Sequence, residues 1–211
     1  SLLLLLTAVI WGSAFVAQSV GMDYVGPLTF LFARSVIGGV VLLPVIAALK
    51  KSGPGHAGEP PEEHGAVRRT LALGGVCCGA VLCAASLAQQ IALQYTTVGK
   101  AGFLTACYIL LVPLIGLLFG RRCGKLVWCG VVLAVVGLYF LCMTGGLGFA
   151  RGDLIALLGA LLFSGHILVI DYFSPKTDGV KMSCIQFFVC AALAGVGMLI
   201  FEQPTLSAML A

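Results

Sequence analysis

The sequence predicts an all-α polytopic membrane protein, and three observations carry that prediction. Only 9% of the residues are charged, against about 25% in a typical soluble domain. The mean hydropathy is +1.11 and 60% of the residues are hydrophobic, more apolar surface than a water-soluble globule of this size can hide. Apolar stretches recur at span length, at about 2–20, 28–49, 71–93, 98–119, 127–145, 153–173 and 182–201. Each approaches the roughly 20 residues needed to cross the hydrocarbon of a bilayer. Lipid offers the backbone no hydrogen-bond partner, so such stretches must be helices. The strands of a barrel would alternate polar and apolar residues, and Val131–Val136 does not alternate.

The elements follow in order. Stretch 2–20 lacks a basic leader, an initiator Met and a small-residue cleavage site, so it reads as a retained helix whose true N-terminus has been trimmed. Trp11 falls at its middle, and Gln18, seven residues on, shares its face. Arg34 lies some six residues into the second span. Between the second and third spans, Ser52–Val67 (SGPGHAGEPPEEHGAV) reads as a flexible loop, with solvated His56 and His64, flanked by basic residues over about 50–69. The third span carries Gly75/Gly79 and, in its outer third, Gln89 and Gln90. Tyr95, Thr97 and Lys100 form the next turn, and Lys100 begins the fourth span. There Thr105 and Tyr108 share a face, Pro113 removes a backbone hydrogen bond and predicts a kink, and Gly116/Gly120 repeat the small-residue spacing. The two G-x-x-x-G pairs let helices approach closely; a homodimer is one use of such a face, packing within the chain another. The fifth span is apolar throughout. His166 sits mid-way along the sixth, Asp171 near its end and Gln186 in the seventh. The nine cysteines show no metal spacing and read as small packing residues.

Charge sets the orientation. Lys50, Lys51, Arg68, Arg69, Arg121, Arg122, Lys125, Lys176 and Lys181 fall on one side, and the opposite loops hold only Lys100 and Arg151. Basic loops stay cytoplasmic, so the N-terminus is expected inside and the seventh span is expected to end outside. A cysteine placed at Gly58, in a background stripped of the nine native cysteines, should resist impermeant thiol reagents in intact cells. Ready labelling there would reverse the topology. The net charge of +4 is thus a topology signal, and no basic patch interleaved with aromatics points to nucleic acid.

Sliding residues 1–49 by 152 positions lays them without a gap on the sixth and seventh spans. Leu2, Leu5, Leu6 and Ala8 meet Leu154, Leu157, Leu158 and Ala160, and Arg34 meets Gln186. The shift implies a five-helix unit. An odd number of helices places the second copy upside down, a recurrent plan of secondary transporters. The expected units are 1–145, complete, and 153–211, which lacks three helices.

Three segments then carry a resemblance. IWGSAFVAQSVGMDYVGPLTFLFAR (Ile10–Arg34), IALQYTTVGKAGFLTACYILLVPLIGLLFGRRCG (Ile91–Gly124) and VWCGVVLAVVGLYFL (Val127–Leu141) resemble EamA-type members of the drug/metabolite transporter superfamily. The resemblance implies a ten-helix fold of two inverted five-helix repeats, of which seven helices are present. It implies a secondary transporter in the cell (inner) membrane, exporting small metabolites such as amino acids or drug-like compounds by alternating access. A coupling proton or ion is compatible with it, and no cofactor is expected. Two departures stand out. Gly120 is followed by Arg121-Arg122, where many members have Gly-Glu-Arg or Gly-Glu-Lys. No acidic residue lies in 1–22, where related small multidrug pumps carry a proton-bearing glutamate.

Polar groups inside a bilayer are expensive and point to function. Arg34 either anchors a carboxylate or phosphate bidentately or snorkels to the interface. Arg34 and Lys100 together would form a cationic outer vestibule. Gln89, Thr105 and Tyr108 beside the Pro113 kink would line a midplane cavity, with Trp11 and Gln18 as a platform and His166 as a titratable neighbour. The bland reading of each is packing between helices. Trp11, Gln18, Arg34, Gln89, Lys100, Thr105, Tyr108 and His166 are the expected substrate-binding residues. An intramembrane enzyme would need paired carboxylates, a metal triad or an activated nucleophile, none of which the spans offer. A scaffold subunit would not need midplane polar groups. No phosphate-cradling glycine loop supports use of nucleotide.

Overall fold

The computed structural model describes residues 2–52, 61–120, 124–143 and 151–202, and every regular element among them is helical. The helices are α1 (Leu2–Gly21), α2 (Pro27–Ser52), α3 (Pro61–Leu93), α4 (Val98–Ala106), α5 (Tyr108–Leu118), α6 (Lys125–Met143), α7 (Arg151–Phe173) and α8 (Gly179–Phe201). A single 3-10 turn, Ser174–Lys176, follows α7. Among the described residues, six stretches are long and apolar enough to cross a membrane: Leu2–Gly21, Pro27–Lys50, Gly65–Leu93, Val98–Leu118, Arg151–Lys176 and Gly179–Phe201. α6 carries a shorter apolar stretch, Lys125–Gly137. The described residues are therefore all-helical in their regular structure, and the protein is multi-pass.

Two elements differ from the sequence expectation. The loop expected over Ser52–Val67 is helical from Pro61 onward, so α3 runs for 33 residues. At 1.5 Å per residue that is about 50 Å, longer than the hydrocarbon layer, so the first turns of α3 project beyond it. Proline suits the first position of a helix, and Pro61 is where α3 begins. Residues 53–60, with His56, and 121–123, with Arg121, Arg122 and Cys123, lie outside the described residues. The second difference is in the fourth span, which is two helices rather than one. The break falls at Cys107, whose amide bonds Leu104 O (3.1 Å) in a tightened turn, and Pro113 lies inside α5. A proline ring presses on the carbonyl four residues earlier, so the distortion belongs on its N-terminal side.

Glycines set the packing of the central helices. α8 lies on α3 over Gly75 and Gly79. A Cβ at Gly75 would collide with Ile185, and one at Gly79 would lie 2.8 Å from the Gln186 carbonyl oxygen. The first G-x-x-x-G pair is thus a seam within the chain. α2 and α8 exchange small and large residues: Gly38 and Gly39 receive Phe187 and Phe188, while Gly195 and Gly197 receive Phe32 and Leu28. α7 packs on α3 with Gly159 against Ala85, Ala88 and Gln89. Small clusters tie the helices together: Leu31, Cys83, Cys190 and Ala194 join α2, α3 and α8, and Ala92, Leu104 and Ala156 join α3, α4 and α7.

The starts of α8 and α2 are closed by carboxylates. Asp178 caps α8, accepting from Val180 N (3.0 Å) and Lys181 N (3.2 Å). At the start of α2 the corresponding position is Gly26, and the carboxylate comes from the end of α8. Glu202 accepts from Leu28 N (2.8 Å), Thr29 N (2.8 Å) and Thr29 Oγ1 (2.7 Å). A Cβ at Gly26 would occupy the place of the Glu202 carboxyl, which is why glycine stands there.

Candidate functional site

A cavity of about 420 Å³ opens between α1, α2, α3, α5, α7 and α8. Trp11, Gln18, Arg34, Gln89, Tyr108 and His166 all line it. Six residues proposed from their cost in a bilayer thus converge on one space, although they come from five separate helices.

Arg34 stands two turns into α2. Its Nη1 donates to Gln18 Oε1 (2.9 Å), and Gln18 in turn donates from Nε2 to Ala14 O (3.1 Å). The Gln18 amide is therefore fixed at both ends and orients the guanidinium. Among the described residues no carboxylate pairs with Arg34, so most of its five donors are not taken up by an acidic group. The next residue, Ser35, donates to Cys190 Sγ (3.4 Å) and ties this part of α2 to α8.

On the opposite hairpin His166 Nε2 donates to Gln186 Oε1 (3.2 Å). An amide oxygen only accepts, so in this pair the ring proton sits on Nε2. Gln186 is the position that the 152-residue shift equates with Arg34. Each hairpin therefore joins this position to its preceding helix by one side-chain hydrogen bond, Arg34 to Gln18 and Gln186 to His166.

Much of the remaining wall is aromatic and apolar. The Trp11 and Tyr108 rings meet edge to face, 6.0 Å between centroids at 66°, a favourable geometry for two quadrupoles. Tyr108 is the first residue of α5, so the break at Cys107 is what sets its direction. Gln89 Nε2 reaches Thr105 Oγ1 at 3.4 Å, a long contact. Thr105 is buried behind Gln89 and is not part of the lining.

Lys100 stands apart. Its Nζ pairs with Asp153 Oδ2 (3.4 Å), and Thr96 Oγ1 donates to Asp153 Oδ1 (2.7 Å). Asp153 is buried in the first turn of α7, where a carboxylate also suits the helix dipole. The ion pair fastens the start of α4 to the start of α7, and Lys100 lies outside the lining. The cationic vestibule expected from Arg34 and Lys100 is thus reduced to Arg34.

One polar lining residue escaped the sequence reading. Ser86 is fully buried, and its hydroxyl has no protein partner among the described residues. A signal was present: Ser86, Gln89 and Gln90 are three and four residues apart on α3 and share a face. Among the described residues no group of His, Cys, Asp and Glu could hold a metal ion.

Comparison with known proteins adds the family. Residues 1–143 match the EamA-like transporter family. An uncharacterized transporter of Archaeoglobus fulgidus is 29% identical over 192 residues, which is 90% of this chain. The chain spans 55% of that relative's length. No solved structure matches significantly. With multiple apolar helices around an amphipathic cavity, and a family match over more than half its length, the chain belongs to the EamA-like transporter family.

Proposed function

We propose that the protein is a secondary transporter that holds a small metabolite, an amino acid or drug-like compound, in the 420 Å³ cavity by its anionic group. The observation that carries this reading is Arg34. It is the one arginine or lysine lining the cavity among the described residues, and it is hydrogen-bonded to Gln18 rather than to a carboxylate. A guanidinium in that position binds carboxylate or phosphate with two parallel hydrogen bonds. Gln18 holds it in register, so little ordering is left to be done on binding. Trp11, Phe15, Phe163 and Phe187 supply apolar wall for the rest of the molecule.

Alternating access, with the N-terminus cytoplasmic and export as the direction, completes the proposal. What supports treating 1–145 and 153–211 as inverted units is their common register. The capped amides of α2 are Leu28 and Thr29, and those of α8 are Val180 and Lys181, the same positions 152 residues on. Two antiparallel units rocking about a fixed midplane site expose it to each side in turn.

The test is counterflow in proteoliposomes with a panel of radiolabelled carboxylates, zwitterionic amino acids, neutral analogues and cations. Saturable exchange is expected for carboxylate-bearing members. Exchange of only cations or neutral compounds would rule out the anion-anchoring role.

A further inference from the structure

We infer that the α3 wall is a second recognition point, and that within the range proposed above the substrate is an organic anion carrying a neutral hydrogen-bonding group, free amino acids being disfavoured by their ammonium. This rests on the reading of Arg34 as the anion anchor. A serine inside a helix ordinarily gives its hydroxyl to the carbonyl four residues earlier, as Ser164 does to Ala160 O (2.7 Å). Ser86 does not, although it is fully buried and lines the cavity. Gln90, one turn on along the same stripe, is also fully buried, and neither its Nε2 nor its Oε1 has a protein partner among the described residues. Polar groups sequestered in this way demand a partner, and Ser86 meets the cavity directly.

The charge of the wall narrows the occupant further. No carboxylate lines the cavity among the described residues. An ammonium group would be stripped of water there without a counter-charge, which is strongly unfavourable. A hydroxyl or amide would instead find Ser86 as donor and acceptor. The cavity wall also includes Phe15, Leu82, Phe163 and Phe187, which suits a flat apolar body.

The experiment is equilibrium binding by calorimetry on the purified protein in nanodiscs. The probes are benzoate, its three monohydroxy isomers and 4-aminomethylbenzoate. At least one hydroxybenzoate is expected to bind about fivefold tighter than benzoate, the worth of one neutral hydrogen bond. Ser86→Ala should bring that isomer to within about twofold of benzoate, and the aminomethyl compound should bind more weakly than benzoate. If all the anions bind, lose affinity in Arg34→Gln, and show neither the isomer preference nor its erasure, Ser86 and Gln90 hold only water. The inference then fails while the anion anchor stands. If no benzoate binds, or Arg34→Gln changes nothing, both fall. Should Ser86→Ala not fold, the isomer preference of the unsubstituted protein decides.

Discussion

Arg34→Gln should lower the transport efficiency for anionic substrates by about a hundredfold. A hydrogen bond to a charged group contributes roughly 1.5–3 kcal/mol, and the guanidinium offers two in parallel. Losing both at the low end of that range removes about 3 kcal/mol, or two powers of ten in affinity. Arg34→Lys should fall between, because a compact ammonium keeps the charge and loses the fork. The side chain of Arg34→Gln is too short to keep the bond that Arg34 Nη1 makes to Gln18 Oε1 without movement, so recovery of folded protein is checked beside transport. The measurement is initial-rate counterflow across substrate concentrations, with monodispersity as the folding control. Rates unchanged within about twofold would make Arg34 a packing or snorkelling residue.

Gly79→Leu should abolish accumulation of folded protein, and Gly79→Ala should destabilise it by about 1–3 kcal/mol. The added Cβ would stand 2.8 Å from the Gln186 carbonyl oxygen and 2.7 Å from Val189 Cβ. One neighbour is backbone, so no rotamer change relieves it and the α3–α8 seam must open. Gly130 on α6 is the control, since a Cβ there meets nothing within 4 Å. Gly130→Ala should be neutral, or stabilising by up to about 1 kcal/mol through helix propensity. Thermal unfolding in detergent, followed by circular dichroism, distinguishes the two. Equal stability of Gly79→Ala and Gly130→Ala would refute the seam.

How much of this was legible in the sequence follows from the range of the forces involved. Span length and hydropathy are local properties, so the helices α1, α2, α7 and α8 end within a few residues of where the sequence places them. The cost of a polar group in lipid is also local, which is why Trp11, Gln18, Arg34, Gln89, Tyr108 and His166 could be singled out before their convergence was visible. Partners are not local. The fate of Lys100 was decided by Asp153, 53 residues away. The break at Cys107 has no cue at that residue; Pro113 marked the span but not the position. The Pro61–Val67 turns were hidden by composition, because proline and glutamate signal both a loop and the first turn of a helix. Ser86 carries no cue of its own, because a helical serine normally satisfies itself.

The Glu202 clamp has a consequence for how the protein is made. The amides of Leu28 and Thr29 take acceptors that lie 174 and 173 residues further along the chain. At 5–20 residues per second of synthesis, that acceptor emerges roughly 9–35 s after α2. Throughout that interval the amides of the first turn of α2 must find other acceptors, such as water or lipid headgroups. Insertion of the first hairpin therefore precedes its closure. A ribosome stalled before residue 202 would leave α2 threaded but unfastened, open to whatever quality-control machinery surveys unfinished membrane proteins.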